Sequence, residues 1–327
     1  MALPQAWHQR LRLPAVAAPM TDVSGPDLVI AAAVHGIIGT FPTHNAKSTD
    51  ELDAWLSHIA AATKRTDSVS SPVAPVGANL VVHRSNARLS GDLDCLLRHR
   101  PEIVITSVGS PAAVIGPLHD AGILVLADVA SLRHAYKAIE SGVDGLVLLS
   151  AGAGGQTGWA NPVSFVRALR NDYDGILVLA GGISDGHGVL AARAAGADLA
   201  YLGTRFIATT ESLASAEYRQ AVVEATLDDI VSSVQVSGLS ANVLRSWLEA
   251  HGVTQAPPTG LDGNTHTGFA QDRLLAQPNV WAAGHSVSGI DAVLDISVLA
   301  ERLAHEYQQA QDLLLQAPVN GISRRWR

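Results

Sequence analysis

Eight short apolar runs recur between residues 15 and 204, and segments with helical spacing separate them. The runs are apolar almost throughout instead of alternating with polar residues, which is typical of parallel strands covered on both faces. They cover residues 15–20, 36–40, 76–82, 103–108, 123–129, 145–149, 176–179 and 199–204. Eight βα units in this order predict an α/β fold, the TIM (β/α)8 barrel. A doubly wound open sheet is the alternative, because a count of strands does not establish closure.

Two of the intervening segments carry helix start and stop signals. Residues 131–142 run from an N-cap serine to a glycine, and residues 185–196 run from an aspartate to a glycine. Serine or aspartate satisfies backbone N–H groups at the start of a helix, and glycine permits the left-handed turn that ends one. Both segments are therefore predicted to be helices that return the chain between strands.

The pattern changes after the eighth apolar run. We expect a helix over residues 211–225, irregular or extended chain over residues 228–237 and a short helix over residues 242–251. Residues 252–268 are rich in proline, glycine and threonine, which favours an irregular loop. This stretch interrupts the helix that should follow the eighth strand of a barrel.

The interruption predicts two domains. Residues 211–280 are expected to form a small, mainly helical cap that is inserted over the barrel mouth. Residues 1–210 and 281–327 are expected to form the barrel, with a final helix over residues 290–315 closing the ring.

The composition and the net charge argue against nucleic acid and membranes as binding partners. Hydrophobic residues make up 47% of the 327 residues and charged residues 16%, which is typical of a folded globular protein. The formal charge is 22 − 30 = −8 and there is no basic run, so nucleic acid is not an expected partner. No stretch approaches the length of a membrane span, and the first residues lack a signal-peptide core. We therefore expect no membrane partner and a cytoplasmic location.

The cysteine count and the spacing of the histidines argue against an intramolecular disulfide and against a metal site. Cys95 is the only cysteine, which excludes an intramolecular disulfide, and its helical spacing favours a core position. The 13 histidines show no paired ligand spacing with nearby carboxylates. No metal site is predicted.

Glycines follow three consecutive apolar runs. They are Gly152 to Gly158 after the sixth run, Gly181 and Gly182 after the seventh, and Gly203 before Thr204 at the eighth. In a barrel these positions share the carboxyl edge, where exposed backbone N–H groups suit a phosphate. The pattern predicts a phosphorylated cofactor, and tight turns without a ligand are the alternative. The segment from Gly152 to Gly158 lacks the G-x-G-x-x-G spacing, so it only weakly indicates a Rossmann dinucleotide-binding site.

Longer strings around these glycines resemble the nitronate monooxygenases, formerly called 2-nitropropane dioxygenases, and their enoyl-reductase relatives. The resemblance spans nearly the whole chain and includes the expected cap. It is carried by Ala-Ala-Pro-Met at 17–20, Gly-Ala-Asn-Leu at 77–80, Leu-Ala-Gly-Gly-Ile at 179–183, Gly-Thr-Arg-Phe at 203–206, Val-Ser-Gly-Leu-Ser-Ala-Asn at 236–242 and Val-Trp-Ala-Ala-Gly-His at 280–285. It implies FMN bound in a TIM barrel, with substrate between the flavin and the cap.

The same resemblance implies which residues hold the cofactor. The backbone of Ala18, Pro19 and Met20 would lie along the flavin ring, and Asn79 would hydrogen-bond to FMN. The ribityl phosphate would be surrounded by Gly154, Gly155, Gly181, Gly182, Gly203 and Thr204. Asp128, which ends the fifth run, is included among the cofactor-binding residues, with a loop-stabilising bond or a substrate contact as alternatives.

One departure from the family pattern affects catalysis. The family commonly has a histidine after the paired glycines, and Gln156 occupies that position here. An amide cannot accept a proton near neutral pH, but its N–H can donate to a nitro or carbonyl oxygen. Gln156 and His285 are the predicted catalytic residues, and His44 and His266 are alternatives to His285. Leu149 is a second departure, at a position where a glutamine is often found.

These residues give three hypotheses for function. The first is an FMN-dependent nitronate monooxygenase that uses O₂ to convert an alkyl nitronate into a carbonyl compound and nitrite. The second is an FMN-dependent reductase of enoyl or quinone substrates that uses NAD(P)H. The third is a non-redox barrel that binds a phosphate ligand. A small-molecule substrate is expected in each case, and a second copy of the chain is a candidate partner.

Overall fold

The computed structural model describes residues 3–64, 73–236, 238–253, 271 and 279–316. Within these residues, eight parallel strands form a closed barrel in the order β1-β2-β3-β4-β5-β6-β8-β9. The first strand pairs with both the second and the last, through Val16 to Ile38 and Val16 to Tyr201. The TIM barrel is confirmed, and the open-sheet alternative is wrong because the sheet has no free edge.

The elements have the following bounds. The barrel strands are β1 (Ala15–Ala17), β2 (Ile38–Pro42), β3 (Val76–Val81), β4 (Ile103–Ser107), β5 (Leu124–Val129), β6 (Gly145–Leu149), β8 (Ile176–Ala180) and β9 (Leu199–Leu202). A small sheet contains β7 (Gly155–Gln156), β10 (Ile230–Ser233) and β11 (Ala241–Leu244). The helices are α1 (Gln5–His8), α2 (Pro26–Val34), α3 (Thr49–Thr63), α4 (Leu89–His99), α5 (Ala112–Asp120), α6 (Leu132–Glu140), α7 (Pro162–Arg170), α8 (Gly186–Ala195), α9 (Thr204–Ile207), α10 (Ala216–Glu224), α11 (Arg245–Ala250) and α12 (Ile296–Gln316).

The barrel strands are buried on both sides, which explains their near-continuous apolar sequences. On β5, Val125 and Ala127 belong to the core between the barrel and its helices, whereas Leu126 belongs to the cluster inside the barrel. On β9, Leu202 lies in the outer core and Tyr201 in the inner cluster. Since successive side chains of a strand point to opposite faces, this alternation identifies every inward position.

The two capped helices form where the sequence predicts them. Ser131 accepts a hydrogen bond from the backbone N–H of His134, and Asp185 accepts one from that of Gly188. Gly196 ends the second helix with φ of 109°, the left-handed conformation that glycine adopts without strain. Both predicted helices are therefore confirmed, with the predicted N-caps.

Several elements are shorter than predicted. Two strands end earlier than expected, and two helices begin later. The first strand ends at Ala17, and the eighth ends at Leu202 because Thr204 begins a helix. The helix expected over residues 211–225 begins at Ala216, where Ser215 caps it. The final helix begins at Ile296, after a 3₁₀ helix at His285–Gly289.

The described part of residues 211–280 contains an antiparallel sheet as well as helices. Residues 242–244 were expected to begin a helix but belong to β11, which pairs with β10 and with the short strand β7. Pairing with two neighbours satisfies the backbone of β11 on both edges, which a short isolated helix could not match. Because β7 belongs to the loop after β6, this sheet joins the predicted cap to the barrel mouth. Residues 254–270 and 272–278 lie outside the described residues, and so does His266.

Candidate active site

A cavity opens at the carboxyl ends of the barrel strands, where a TIM barrel places its functional residues. It brings together all the predicted cofactor-binding residues and one predicted catalytic residue. The predicted residues that line it are Ala18, Pro19, Met20, Asn79, Asp128, Gly154, Gly155, Gln156, Gly181, Gly182, Gly203 and Thr204. His285 does not line it.

The floor of the cavity is formed by inward-facing residues near the carboxyl ends of the strands. Two of them, Asn79 on β3 and Ser107 on β4, are hydrogen-bonded to each other. The Ser107 hydroxyl donates to Oδ1 of Asn79 at 3.3 Å, and Nδ2 of Asn79 donates to the carbonyl of Ile105 at 3.1 Å. An amide has two donors and two acceptor lone pairs, so Asn79 is held in place and keeps one N–H for a ligand.

Two other floor residues carry polar atoms without partners. Oδ1 of Asp128 and the hydroxyl of Tyr201 are buried and have no hydrogen bond among the described residues. Burial raises the pKa of the Asp128 carboxyl to about 7, because a desolvated carboxylate is disfavoured. The pKa of Tyr201 is also raised, first by burial and then by the nearby charge of Asp128. Such atoms at the base of a cavity are typical of a ligand-binding surface.

The glycines after β8 form an open rim. Gly182 has φ of 72°, and no heavy atom lies within 4 Å of the position that a Cβ would take. Gly181 has φ of 124°, and its Cβ would lie 2.4 Å from Oγ of Ser150. Both conformations favour glycine, but only Gly182 would direct a side chain into free space. Its backbone is therefore the one that a ligand can approach most closely.

Gly203 is required for a different reason. Its φ is −97°, which any residue can adopt, and its Cβ would lie 3.6 Å from Sδ of Met20 and 3.8 Å from Cβ of Ala18. Both of these neighbours line the cavity. A side chain at Gly203 would occupy cavity space instead of straining the backbone.

The loop after β6 packs closely against the segment that returns to the barrel. A Cβ on Gly154 would lie 2.7 Å from the backbone nitrogen of Gly284, so this glycine is required by backbone packing. The N–H of Gly284 also donates to Oγ1 of Thr204 at 2.9 Å, which ties the same segment to the start of α9. Gly154 and Thr204 therefore have structural roles in addition to their place in the cavity wall.

Gln156 is positioned by the small sheet. It lies on β7 opposite Ala241 of β11, and Asn242 of β11 donates through Nδ2 to the carbonyl of Ala153 at 2.8 Å. The side chain of Gln156 is half-buried and belongs to the cavity lining. The pairing of β7 with β11 therefore holds Gln156, which replaces the usual family histidine, at the cavity mouth.

His44 is the histidine that lines the cavity. Its Nε2 lies 3.0 Å from Oγ1 of Thr21, and its Nδ1 is buried without a partner among the described residues. Burial, and to a smaller extent the positive charge of Arg88, lower the pKa of His44 to about 4. The imidazole is therefore neutral at pH 7 and acts as a hydrogen-bonding group, since so weak a base accepts protons poorly.

His285 has an exposed side chain outside the cavity. Its imidazole lies against Gly152, whose Cβ would be 2.8 Å from Nδ1 of His285. Its backbone N–H donates to the carbonyl of Gly152 at 2.9 Å. His285 thus helps to hold the glycine loop, and the structure does not bring it together with Gln156 in the cavity lining.

The cavity has little fixed charge. Among the described residues that line it there is no lysine or arginine, and Asp128 is the one carboxylate. Any bound anion would therefore depend on backbone N–H groups and neutral side chains rather than on a cationic partner. The structure describes no cluster of three or more metal-ligating side chains.

Two tyrosines that line the cavity were not among the predicted site residues. Tyr201 follows Leu199 with the period of two that marks inward positions, so its floor location could have been predicted once β9 was placed. Tyr218 on α10 lines the cavity and stacks on Trp281, with ring centroids 5.5 Å apart. No local signal identifies Tyr218, because its position depends on how α10 packs on the returning segment.

A family model for nitronate monooxygenase matches residues 7–283 of the chain. The chain belongs to the nitronate monooxygenase family. The family expected from the sequence strings is therefore confirmed. None of the helices in the described ranges is long and apolar enough to cross a membrane.

Relatives within and near this family carry two kinds of name. The chain is 28% identical over 242 residues to the (3aS,4S,5R,7aS)-5-hydroxy-7a-methyl-1-oxo-octahydro-1H-indene-4-carboxyl-CoA dehydrogenase of Mycobacterium tuberculosis, a match that covers 72% of this chain and 64% of that protein. It is 34% identical over 176 residues to the nitronate monooxygenase of Paraburkholderia phytofirmans, covering 51% of this chain and 48% of that protein. The chain thus spans less than two thirds of the length of either relative. Both names are those of oxidoreductases, which confirms the expected enzyme class at the level of the family.

A solved structure supports the same fold. The nitroalkane oxidase of Streptomyces ansochromogenes is 25% identical and has a TM-score of 0.78, with 94% of this chain and 100% of that chain covered. Within the nitronate monooxygenase family, this chain combines the closed barrel with Gln156 and a cavity in which His44 is the one described imidazole.

Proposed function

We propose that this chain is an FMN-dependent oxidoreductase. The observation that carries the proposal is the glycine-rich carboxyl edge of β6, β8 and β9, which surrounds one cavity and leaves free space beside the backbone of Gly182. Backbone N–H groups in such a setting bind phosphate without a cationic side chain. The site residues therefore fit a cofactor that has a phosphate at one end and a planar ring at the other.

The lining residues divide between these two ends. Gly181, Gly182, Gly203 and Thr204 would hold the phosphate, together with Gly154 and Gly155. Asn79 and Asp128 on the floor, with the backbone of Ala18, Pro19 and Met20, would hold the ring. When bound, FMN would supply the electron-accepting group, and the protein would orient it and limit the access of water.

Within this class, the first candidate reaction is oxidation of an alkyl nitronate to a carbonyl compound and nitrite with O₂. Gln156 would donate a hydrogen bond to a nitro oxygen, and His44 would contribute a neutral imidazole. A nitronate is already deprotonated, so this reaction does not require a strong base at either position. Neutral nitroalkanes, which must lose a proton first, are expected to be poor substrates.

The second candidate is a dehydrogenase or reductase that exchanges electrons with NAD(P)H and an enoyl, quinone or related carbonyl compound. The described cavity wall has no cation for a nitronate, and Gln156 could polarise a carbonyl oxygen instead. The similarity to a protein named as a carboxyl-CoA dehydrogenase supports the same candidate. A non-redox phosphate-binding barrel is the remaining alternative.

Purified protein separates these candidates. A yellow protein with a flavin absorption spectrum is expected, and release of nitrite from an alkyl nitronate under air would support the monooxygenase. Rapid anaerobic bleaching by NADH or NADPH would support the reductase. A colourless protein that fails to take up FMN on reconstitution would contradict both and leave the non-redox barrel.

Replacing Asn79 with alanine is expected to weaken FMN binding without unfolding the barrel. The loss of one hydrogen bond costs about 0.5–1.5 kcal/mol, which corresponds to a roughly 2- to 12-fold weaker Kd. Fluorescence titration of the apoprotein with FMN measures the change. Asn86→Ala is the matched control, because Asn86 is also buried and bonds to the carbonyl of Val81 but does not line the cavity. An unchanged Kd for Asn79→Ala would remove Asn79 from the cofactor site.

A further inference from the structure

Two side chains on the cavity floor have polar atoms that the protein itself does not use. Asp128 is the last inward-facing residue of β5, after Leu126, and Tyr201 is the last of β9, after Leu199. Both line the cavity, and the pKa of Tyr201 is raised first by burial and then by the charge of Asp128.

The neighbouring floor residues Asn79 and Ser107 differ from this pair, because their side chains form hydrogen bonds within the protein. Asn79 and Ser107 bond to each other, and Asn79 also donates to a main-chain carbonyl. Oδ1 of Asp128 and the hydroxyl of Tyr201 are equally buried but have no partner in the described residues. A buried polar atom without a partner costs free energy, and the two atoms lie where a bound molecule could satisfy them.

The surroundings determine the charge state of this pair. The strands beside β5 present Ser107 from β4 and Val147 and Leu149 from β6, none of which is charged. From the rest of the described cavity wall the titratable groups are Tyr201, Tyr218 and the neutral His44, with no lysine or arginine. An ionised Asp128 would have no counter-charge, and a phosphorylated ligand would add a like charge.

We propose that Asp128 and Tyr201 form a two-donor site on the cavity floor, which binds the acceptor atoms of the flavin ring while Asp128 is an uncharged carboxylic acid. This inference rests on the proposed function, since it assigns a role toward the bound FMN. A flavin ring has two carbonyl oxygens and two unprotonated ring nitrogens, which accept hydrogen bonds, and only one N–H that donates, so most of its polar positions require a donor. The glycine rim, with its open space at Gly182, remains the phosphate end.

The proposal has a defined dependence on pH. The pKa of Asp128 is raised to about 7 by burial in the ligand-free protein, and a flavin ring that accepts its proton would raise this pKa further. The affinity for FMN is then constant below pH 7 and falls above it, by up to about tenfold per pH unit for one linked proton. A carboxylate that accepted a hydrogen bond from the ring would give the opposite slope.

The test is the Kd of FMN for the apoprotein, measured by flavin fluorescence between pH 7 and 8.5. The phosphate of FMN is already mainly dianionic in this range, because its second pKa is about 6. For the wild-type protein we expect the Kd to increase about tenfold. For Asp128→Asn, whose amide donates at every pH, we expect less than about a twofold change and tighter binding than wild type at pH 8.5.

Two further variants separate the inference from a general structural effect. Tyr201→Phe should weaken FMN binding by roughly 2- to 12-fold at each pH and keep the wild-type slope. Asp120→Asn, which changes an exposed aspartate at the end of α5, should reproduce the wild-type curve.

A readout without flavin tests the charge state separately. The folded-state pKa of Asp128 lies above its ordinary value of 3.8, so the unfolded chain releases this proton at a lower pH than the folded chain. The folded apoprotein therefore loses stability as the pH rises from about 4 to about 7, and no more above that. The melting temperature of wild type relative to Asp128→Asn should fall between pH 5 and 7 and then level off.

Each outcome supports the inference or overturns it. Equal pH slopes for wild type and Asp128→Asn, or an affinity that rises with pH, would overturn it while FMN binding and the proposed function remain. Failure of both proteins to bind FMN would overturn both proposals.

Discussion

Replacing Gly182 with valine is expected to abolish FMN binding while the barrel stays folded. The residue has φ of 72°, and its Cβ would point into open space at the cavity rim. A branched side chain there would fill the space that a phosphate needs, and it would disfavour the left-handed backbone that presents the N–H groups. Flavin content after reconstitution, measured from the absorption spectrum, reports the effect.

A matched glycine separates loss of the site from strain. Gly122, in the turn between α5 and β5, has φ of 79° and no heavy atom within 4 Å of a Cβ, but it does not line the cavity. Gly122→Val should show a similar loss of stability, about 1–3 kcal/mol, with full flavin content. If Gly182→Val retains FMN at the level of Gly122→Val, the phosphate end of the site is placed wrongly.

Replacing Gln156 with alanine is expected to lower turnover of the true substrate by about tenfold or more, because one polarising donor in a dry site is worth a few kcal/mol. Gln156→His is expected to gain activity on neutral nitroalkanes, with a pH dependence near 6.5, since imidazole can accept the proton that an amide cannot. Steady-state rates between pH 5 and 9, with nitronate and nitroalkane substrates compared, measure both effects.

Two controls accompany the Gln156 variants: the rate of a variant at a distant glutamine, and the flavin content of the Gln156 variants themselves. Gln220→Ala, on the exposed side of α10, should leave the rate unchanged. Flavin content should stay intact in both Gln156 variants, because the proposed phosphate contacts are backbone groups of other residues and do not involve the Gln156 side chain. A wild-type rate for Gln156→Ala would limit Gln156 to a loop role. His44, which lines the cavity, would then be a better candidate than the exposed His285.

The site was predictable to the extent that it is built from strand ends. Once the strands are placed, Asn79, Asp128 and Gly182 fall on one edge of the barrel, so their shared cavity follows from the fold. His285 illustrates the limit of this reasoning. It follows Gly284 in the returning segment, but the contact with Gly152 leaves its side chain exposed, and no pattern in the sequence encodes that direction.

The sequence by itself determined the eight barrel strands, the capped helices and the glycine-rich edge, whereas closure of the barrel was established by the pairing of β1 with β9. These features depend on local chemistry: apolar runs bury strands on both faces, Ser131 and Asp185 cap helices, and glycine permits positive φ. Only the tertiary structure decided that residues 241–244 form a strand, because β11 gains its hydrogen bonds from β7 and β10. It also decided that Asp128 and Tyr201 line one cavity floor, where Oδ1 of Asp128 and the hydroxyl of Tyr201 have no partner among the described residues. Burial and pairing between distant segments exist only after the barrel closes, so no local pattern can specify them.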